Sequence, residues 1–278
     1  MRASFLVLAP LLAIKHKAII PMPGGCKIGE RPIDLHIKAL EKLGAKTIYE
    51  NNYLKAELPD KRFIADEIIF SQVSVGATEC ALMAATLAYG KTTIHNAAKE
   101  PEIVDLGNCL NKAGAKINGL GTNKLEIIGV NKLRPVNYTV IPDRIEAGSF
   151  AIIAAITKGK INILNLKKDD LVVFFEKLRM TNTKIEFYND SVTVEGIPKL
   201  NSVNVETKPH PGFPTDLQAQ FMSLMSIANG RSIIKENIFE NRFMHVPELN
   251  RMGAKIRTSG NSSFIHGPQN LNGAEVMA

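Results

Sequence analysis

The chain has 278 residues, 45% of them apolar and 22% charged, and carries a net charge of +7. This is the balance of an ordinary globular protein of roughly two domains, long enough to bury a sizeable core without disulfide or metal staples. Basic residues are dispersed and tryptophan is absent, which argues against a nucleic-acid surface and for anionic small molecules such as phosphates.

In chain order, the first segment is MRASFLVLAPLLAI, a charge followed by a short apolar run. It has the outline of a signal peptide, but Lys15-His16-Lys17 follows with no small-residue cleavage site, and the run is too short to span a membrane. It is read as a structural helix. Next comes a turn-rich loop with Cys26 near its tip, within PMPGGCKIGERPIDLH (residues 21–36). An apolar helix pattern then ends at Gly90 and is followed by the alternating run KTTIHN. The same unit returns as AGSFAIIAAITKGKINILN around Gly159 and as LQAQFMSLMSIANGRSIIKE around Gly230, with glycines 69 and 71 residues apart. The first segment fits this slot without the Gly. A second unit, an amphipathic helix closed by Gly-Ala, appears at Gly44, Gly114 and Gly253; in the remaining copy Asn182-Thr183 stand in that place. Gly beyond a helix end supplies a left-handed cap, and runs such as SVTVEG alternate like strands. The expectation is an α/β (α+β) fold of repeated helix–strand–helix–strand modules, too large for a thin solenoid. Two domains follow, residues 1–141 and 142–278, with the cut near Val140-Ile141-Pro142.

The three cysteines, Cys26, Cys80 and Cys109, show no metal spacing and are odd in number, as in a reducing, cytoplasmic setting. Cys80 and Cys109 lie in helix-like runs and read as packing. Cys26 sits beside Lys27 and near Arg31; positive charge there would make the thiol a usable acid or nucleophile, unless it is an incidental loop residue. Gly90-Lys91-Thr92 closes a helix rather than opening one, and Gly119-Leu120-Gly121 lacks a third Gly, so neither is a nucleotide fingerprint. The six histidines show no ligand spacing. Ser74 or Thr78 in SQVSVGAT can cap a helix whose free N–H groups suit an anion. Asp216, in HPGFPTDLQAQ, reads either as a helix cap or as a general base. Arg242, near His245 in IFENRFMHVPE, reads as a buried ion pair or an anion clamp.

The runs PGGCKIGERPIDLH, SVGAT, KEPEIVD, PDRIEAG, HPGFPTDLQAQF and IFENRFMHVPELNRMGA resemble, in order and spacing over essentially the whole chain, the enolpyruvyl transferase family. The likeness is to the branch that moves the enolpyruvyl group of phosphoenolpyruvate to the 3-hydroxyl of UDP-N-acetylglucosamine, releasing phosphate in the first committed step of peptidoglycan synthesis. The 5-enolpyruvylshikimate-3-phosphate synthase branch shares the architecture but lacks the Cys-bearing loop. The resemblance implies an inside-out α/β barrel of βαβαββ modules in two domains, the second incomplete. It implies no cofactor or metal, two small-molecule substrates, and neither nucleic acid nor membrane as partner.

The resemblance also assigns residues. Cys26 protonates C3 of phosphoenolpyruvate and is the site of fosfomycin alkylation. Asp216 binds the sugar 3-hydroxyl and is the base. Arg2 and Arg31 contact the anionic substrates. Pro32, Ile33, Asp34 and Leu35 surround the uracil, Ser74, Val75 and Gly76 lie near the diphosphate, and Ile238 and Phe239 lie beside the sugar nucleotide. Against the family the chain is expected to be truncated at both ends, lacking further cationic contacts. That leaves two readings: the transferase, with this chain a portion of it or completed by separately encoded pieces, or a noncatalytic remnant that retains sugar-nucleotide binding at most. Gln72 stands where some members have Lys.

Overall fold

A computed structural model describes residues 5–21 and 33–277; Arg2, Cys26, Arg31 and Pro32 lie outside them. The fold is mixed α/β and forms two compact units that change over between Ile141 and Pro142. In the first unit, α1 (Leu8–Lys15) runs into β1 (Lys17–Pro21), and α2 (Asp34–Lys42) into the hairpin β2 (Lys46–Glu50) and β3 (Tyr53–Glu57). A second copy follows: β4 (Glu67–Ile69), α3 (Val75–Thr86), β5 (Lys91–His95), α4 (Pro101–Lys112), β6 (Lys116–Asn118) and β7 (Lys124–Ile128). The second unit holds a third copy, α5 (Arg144–Thr157), β8 (Lys160–Leu164), α6 (Val172–Met180), β9 (Lys184–Phe187) and β10 (Ser191–Glu195). The fourth comprises β11 (Val205–Glu206), α7 (Gln218–Ile227), β12 (Gly230–Lys235), α8 (Val246–Arg251), β13 (Ile256–Ser259) and β14 (Ser262–Gly267).

The four sheets run β1-β3-β2, β4-β5-β7-β6, β8-β10-β9 and β11-β12-β14-β13. In each copy the second hairpin strand lies between the first hairpin strand and the strand after the first helix, antiparallel to both. In two copies a leading strand joins in parallel, β4 on β5 and β11 on β12. The repeat expected from the sequence is present, and each module ends in a hairpin, as the βαβαββ resemblance implies and where the residue patterns alone gave a single strand. The alternating runs behave as strands with one buried face, Thr92 and Ile94 pointing inward on β5 and Val192 and Val194 on β10.

The helix ends explain the odd copy. The second helix of each module is followed by a left-handed residue: Gly44 (φ 93°), Gly114 (φ 106°), Asn182 (φ 73°) and Gly253 (φ 100°). Asn visits this region more readily than other non-glycine residues, so Asn182 keeps the turn that Gly makes elsewhere. Gly159 was expected to close α5, but the left-handed turn falls one residue earlier, on Lys158 (φ 58°). A residue with a Cβ is disfavoured there. Lys158→Gly is therefore expected to stabilise the chain by about 0.5–1 kcal/mol, the relief of strain exceeding the extra freedom given to the unfolded chain. A urea midpoint that stays put or falls would refute this.

Each unit has its own core. In the first, α1 contributes Leu8, Ala9 and Leu12 alongside Leu40, Leu54 and Leu82, so this apolar run is an integral helix. In the second, an aromatic row joins Phe175, Phe174, Phe213 and Phe221 at centroid distances of 5.1, 6.0 and 5.4 Å. Phe213 belongs to the HPGFPTDLQAQ motif, and its ring anchors that segment in the core. Among the described residues no helix is long and apolar enough to cross a membrane.

Candidate functional site

In the first unit, three of the sequence motifs meet at the N-terminal ends of α2, α3 and α4. Ile33 and Leu35 are buried, while Asp34 is half-exposed and pairs with Lys38 at 3.4 Å. The buried His36 packs edge-on against Phe5 and abuts α3 so closely that a Cβ on Gly76 would lie 2.7 Å from its Nε2. Glycine at 76 is thus what lets α2 and α3 approach. Ser74 is the cap of α3, its Oγ accepting the Ala77 N–H at 3.4 Å. Thr78, the other candidate cap, instead donates to the Ser74 carbonyl (2.8 Å) and accepts the Ala98 N–H (3.0 Å), tying α3 to the segment that enters α4. The first turn of α3 carries no acidic residue, so its positive end is left uncompensated by its own sequence, as an anion site requires.

A groove of about 450 Å³ in this unit is lined by Leu35, Lys38, Lys42, Asp66, Ile68 and Ser71, among others, but by none of Ser74, Val75 and Gly76. One carboxyl of this unit stands in no motif of the sequence. Burial, and then the charges of Glu102 and Glu100, push Glu79 on α3 up to about 7. Its neighbour Cys80 is fully buried, with its thiol pushed up to about 12 by burial and then by Glu79. Cys80 is packing, as expected; Cys109 is a free, half-buried thiol on α4.

In the second unit three more motifs converge. Asp216 lies in a single 3-10 turn, Thr215–Leu217, that leads into α7. It caps nothing: no side-chain cap bond is made at either helix start. Its carboxylate instead receives Arg242 Nη2 at 2.6 Å. This removes the cap reading of Asp216 and shows Arg242 in an ion pair whose acidic partner is 53% exposed, not in a buried one. The guanidinium also lies over the Phe239 ring, 5.2 Å from its centroid, and its buried Nη1 has no hydrogen-bond partner among the described residues. The PDRIEAG motif is drawn in from the other side. Asp143 caps α5 through the Ile145 and Glu146 N–H groups (2.8 and 3.1 Å). Gly148 leaves no room for a Cβ against Leu217, and Ser149 accepts a bond from Gln220 at 3.2 Å.

Two residues here carry roles that the motifs did not announce. Glu236, 2% exposed, accepts bonds from Thr207, Thr215, Ile238 and Phe239. His245, at the start of α8, contacts Met222 Sδ at 3.3 Å. Burial, and then the Arg242 charge, push it down to about 4. Of the residues expected to act, the structure brings Ile33, Asp34 and Leu35 toward Ser74, Val75 and Gly76 in the first unit. It brings Asp216 toward Ile238 and Phe239 in the second.

The family profile of EPSP synthase (3-phosphoshikimate 1-carboxyvinyltransferase) matches residues 1–278. The whole chain is similar to the UDP-N-acetylglucosamine 1-carboxyvinyltransferase of Pseudoalteromonas atlantica, 52% identical over 66% of that protein. Its similarity to the protein of the same name from Novosphingobium aromaticivorans is 51%, over 65% of that chain. The chain thus spans about two thirds of the length of the curated relatives it matches. Among solved structures, the enolpyruvyl transferase NikO from Streptomyces tendae superposes with a TM-score of 0.84 at 21% identity, covering 98% of this chain and 64% of that one. The EPSP synthase of Acinetobacter baumannii gives 0.68 at 18% identity, with 95% and 63% covered. At these identities the structural likeness speaks for the inside-out α/β fold alone.

Proposed function

The chain belongs to the EPSP synthase family of enolpyruvyl transferases, and from that premise we propose that it transfers the enolpyruvyl group of phosphoenolpyruvate to the 3-hydroxyl of UDP-N-acetylglucosamine. The feature that best supports this is Asp216: an acidic side chain released from any capping role, paired with Arg242 and adjoining the Ile238–Phe239 turn. A carboxylate so placed suits a base that takes the proton of a sugar hydroxyl. Relatives of the sugar-nucleotide branch, half identical over the whole chain, favour that acceptor over shikimate 3-phosphate.

The chemistry follows from the bonds involved. The hydroxyl oxygen adds to C2 of phosphoenolpyruvate, its proton passes to Asp216, and C3 receives a proton from Cys26. Phosphate then leaves C2 as C3 gives a proton back, restoring the double bond in the product. Arg2 and Arg31 neutralise the anionic substrates in paired hydrogen bonds. Ile33, Asp34 and Leu35, with Pro32, take the uracil. Ser74, Val75 and Gly76 offer the uncompensated start of α3 to the diphosphate. Ile238 and Phe239 lie beside the sugar. In this reading the reaction is cytoplasmic, its product enters peptidoglycan synthesis, and Cys26 is what fosfomycin alkylates.

The test is phosphate release by the purified 278-residue chain with both substrates, against Cys26→Ala. Release is expected only when both substrates are present, and is expected to fall by about 10²–10⁴-fold in the variant that lacks the acid. No release from a chain shown to be folded would overturn the activity. Calorimetric titration with UDP-N-acetylglucosamine would then tell whether binding survives without turnover.

A further inference from the structure

We propose that Glu236 is the positioning residue of the Asp216 site, its buried carboxylate fixing the turn that carries Asp216 against the turn that carries Ile238 and Phe239.

The repeat itself singles this residue out. Six residues after Gly90, the second copy has Asn96; six residues after Gly159, the third has Asn165. Both take the left-handed conformation, at φ 56° and 57°, and neither is buried. Six residues after Gly230 the fourth copy has Glu236, which is buried. The second and third copies therefore close this strand end with an Asn turn, and the buried acid of the fourth is a departure from them.

Its contacts say what the departure does. One carboxylate oxygen accepts the Thr207 hydroxyl (2.9 Å) and the Ile238 and Phe239 N–H groups (2.8 and 3.2 Å). The other accepts the Thr215 hydroxyl (2.9 Å). All four donors are neutral. No cation among the described residues pairs with it, and burying a carboxylate on neutral donors is costly even when it is hydrogen-bonded, so its worth lies in the geometry it fixes. That geometry is a closed circuit. Glu236 holds Thr215, whose neighbour Asp216 pairs with Arg242; Arg242 lies over the Phe239 ring; and the Phe239 N–H returns to Glu236. Thr207 fixes the other end of the loop that leads to Asp216, and also accepts the Asn237 N–H at 2.9 Å.

This inference rests on the sugar-nucleotide reading of the site, and the experiment separates the two. In the full chain, Glu236→Gln exchanges one acceptor oxygen for a donor and removes the charge. Amide hydrogen exchange at Ile238 and Phe239 is expected to quicken about tenfold while the far-ultraviolet spectrum is retained. Thr215→Val cuts one arm alone and is expected to weaken UDP-N-acetylglucosamine binding about tenfold by calorimetry, with Thr215→Ser restoring it. A structural role alone would not give that rescue pattern. Where Glu236→Gln fails to fold, the Thr215 pair carries the test, with Phe239 exchange as its second readout. Where the wild-type chain does not bind the sugar nucleotide, the functional reading fails and exchange alone decides on Glu236. Exchange at both amides unchanged from wild type, or Thr215→Val binding the nucleotide as wild type does, overturns the proposal.

Discussion

Asp216→Asn is expected to lower turnover by about 10²–10⁴-fold, the usual share of a positioned general base, while leaving the fold in place. Asn matches the carboxylate in shape and still accepts a bond from Arg242 through its oxygen, but it cannot take the proton of an attacking hydroxyl. The stability cost is small by comparison. The Asp216 side chain is 53% exposed, and an ion pair with one partner in solvent contributes on the order of 1 kcal/mol or less. A loss of three decades in rate therefore cannot be read as unfolding. Asp216→Glu keeps the charge but displaces it by one methylene, and an intermediate rate is expected, since proton transfer depends on hydrogen-bond reach. Phosphate release measured under saturating substrates decides the matter. An Asn variant that keeps most of the wild-type rate would mean that Asp216 serves only to hold Arg242.

The repeat was legible in the sequence because its signals are local. Apolar helix patterns, strand alternation and glycines after helix ends each lie within a dozen residues. The hairpins were less so, since β6 and β9 are short and run on directly from the helix turn. Lys158 could not be read as a cap, because a lysine in the left-handed region is a cost the chain bears, not a preference it states. At the site, Asp216 stood out in a Pro-rich helix start, but its pairing with Arg242, 26 residues on, depends on tertiary packing. Two further signals lie in the sequence. Glu236 continues the inward series Ser232 and Ile234 along β12, and a charge at an inward position of an alternating strand needs an explanation. Glu79 is the lone charged residue of α3. Each becomes conspicuous once the buried face is known.

Glu79 and His245 should give the two units opposite responses to pH. Glu79 is raised from its usual 4.5 to about 7, by burial first and then by Glu102 and Glu100. Between those values the folded chain holds a proton that the unfolded chain has released, so stability is full below pH 4.5 and is lost as pH rises through 7. His245 is lowered from 6.5 to about 4, by burial first and then by Arg242. Here the unfolded chain holds the extra proton, so stability is full above pH 6.5 and is lost as pH falls through 4. Each shift corresponds to roughly 3 kcal/mol. In a wild-type titration the two largely offset each other between pH 4.5 and 6.5, and single variants are needed to expose them. Glu79→Gln carries no proton to lose and is expected to gain about 3 kcal/mol relative to wild type between pH 4.5 and pH 8. His245→Gln is expected to gain a similar amount, about 3 kcal/mol, between pH 7 and pH 4. Urea unfolding at pH 4, 6 and 8, followed by fluorescence and by exchange of amides in each unit, reads both. A Glu79→Gln curve parallel to wild type across this range would show that the carboxyl is solvated when ionised. The acidic neighbours at the start of α4 would then have to turn away from it, and the close seating of α3 against α4 through Thr78 and Ala98 would have to loosen with them.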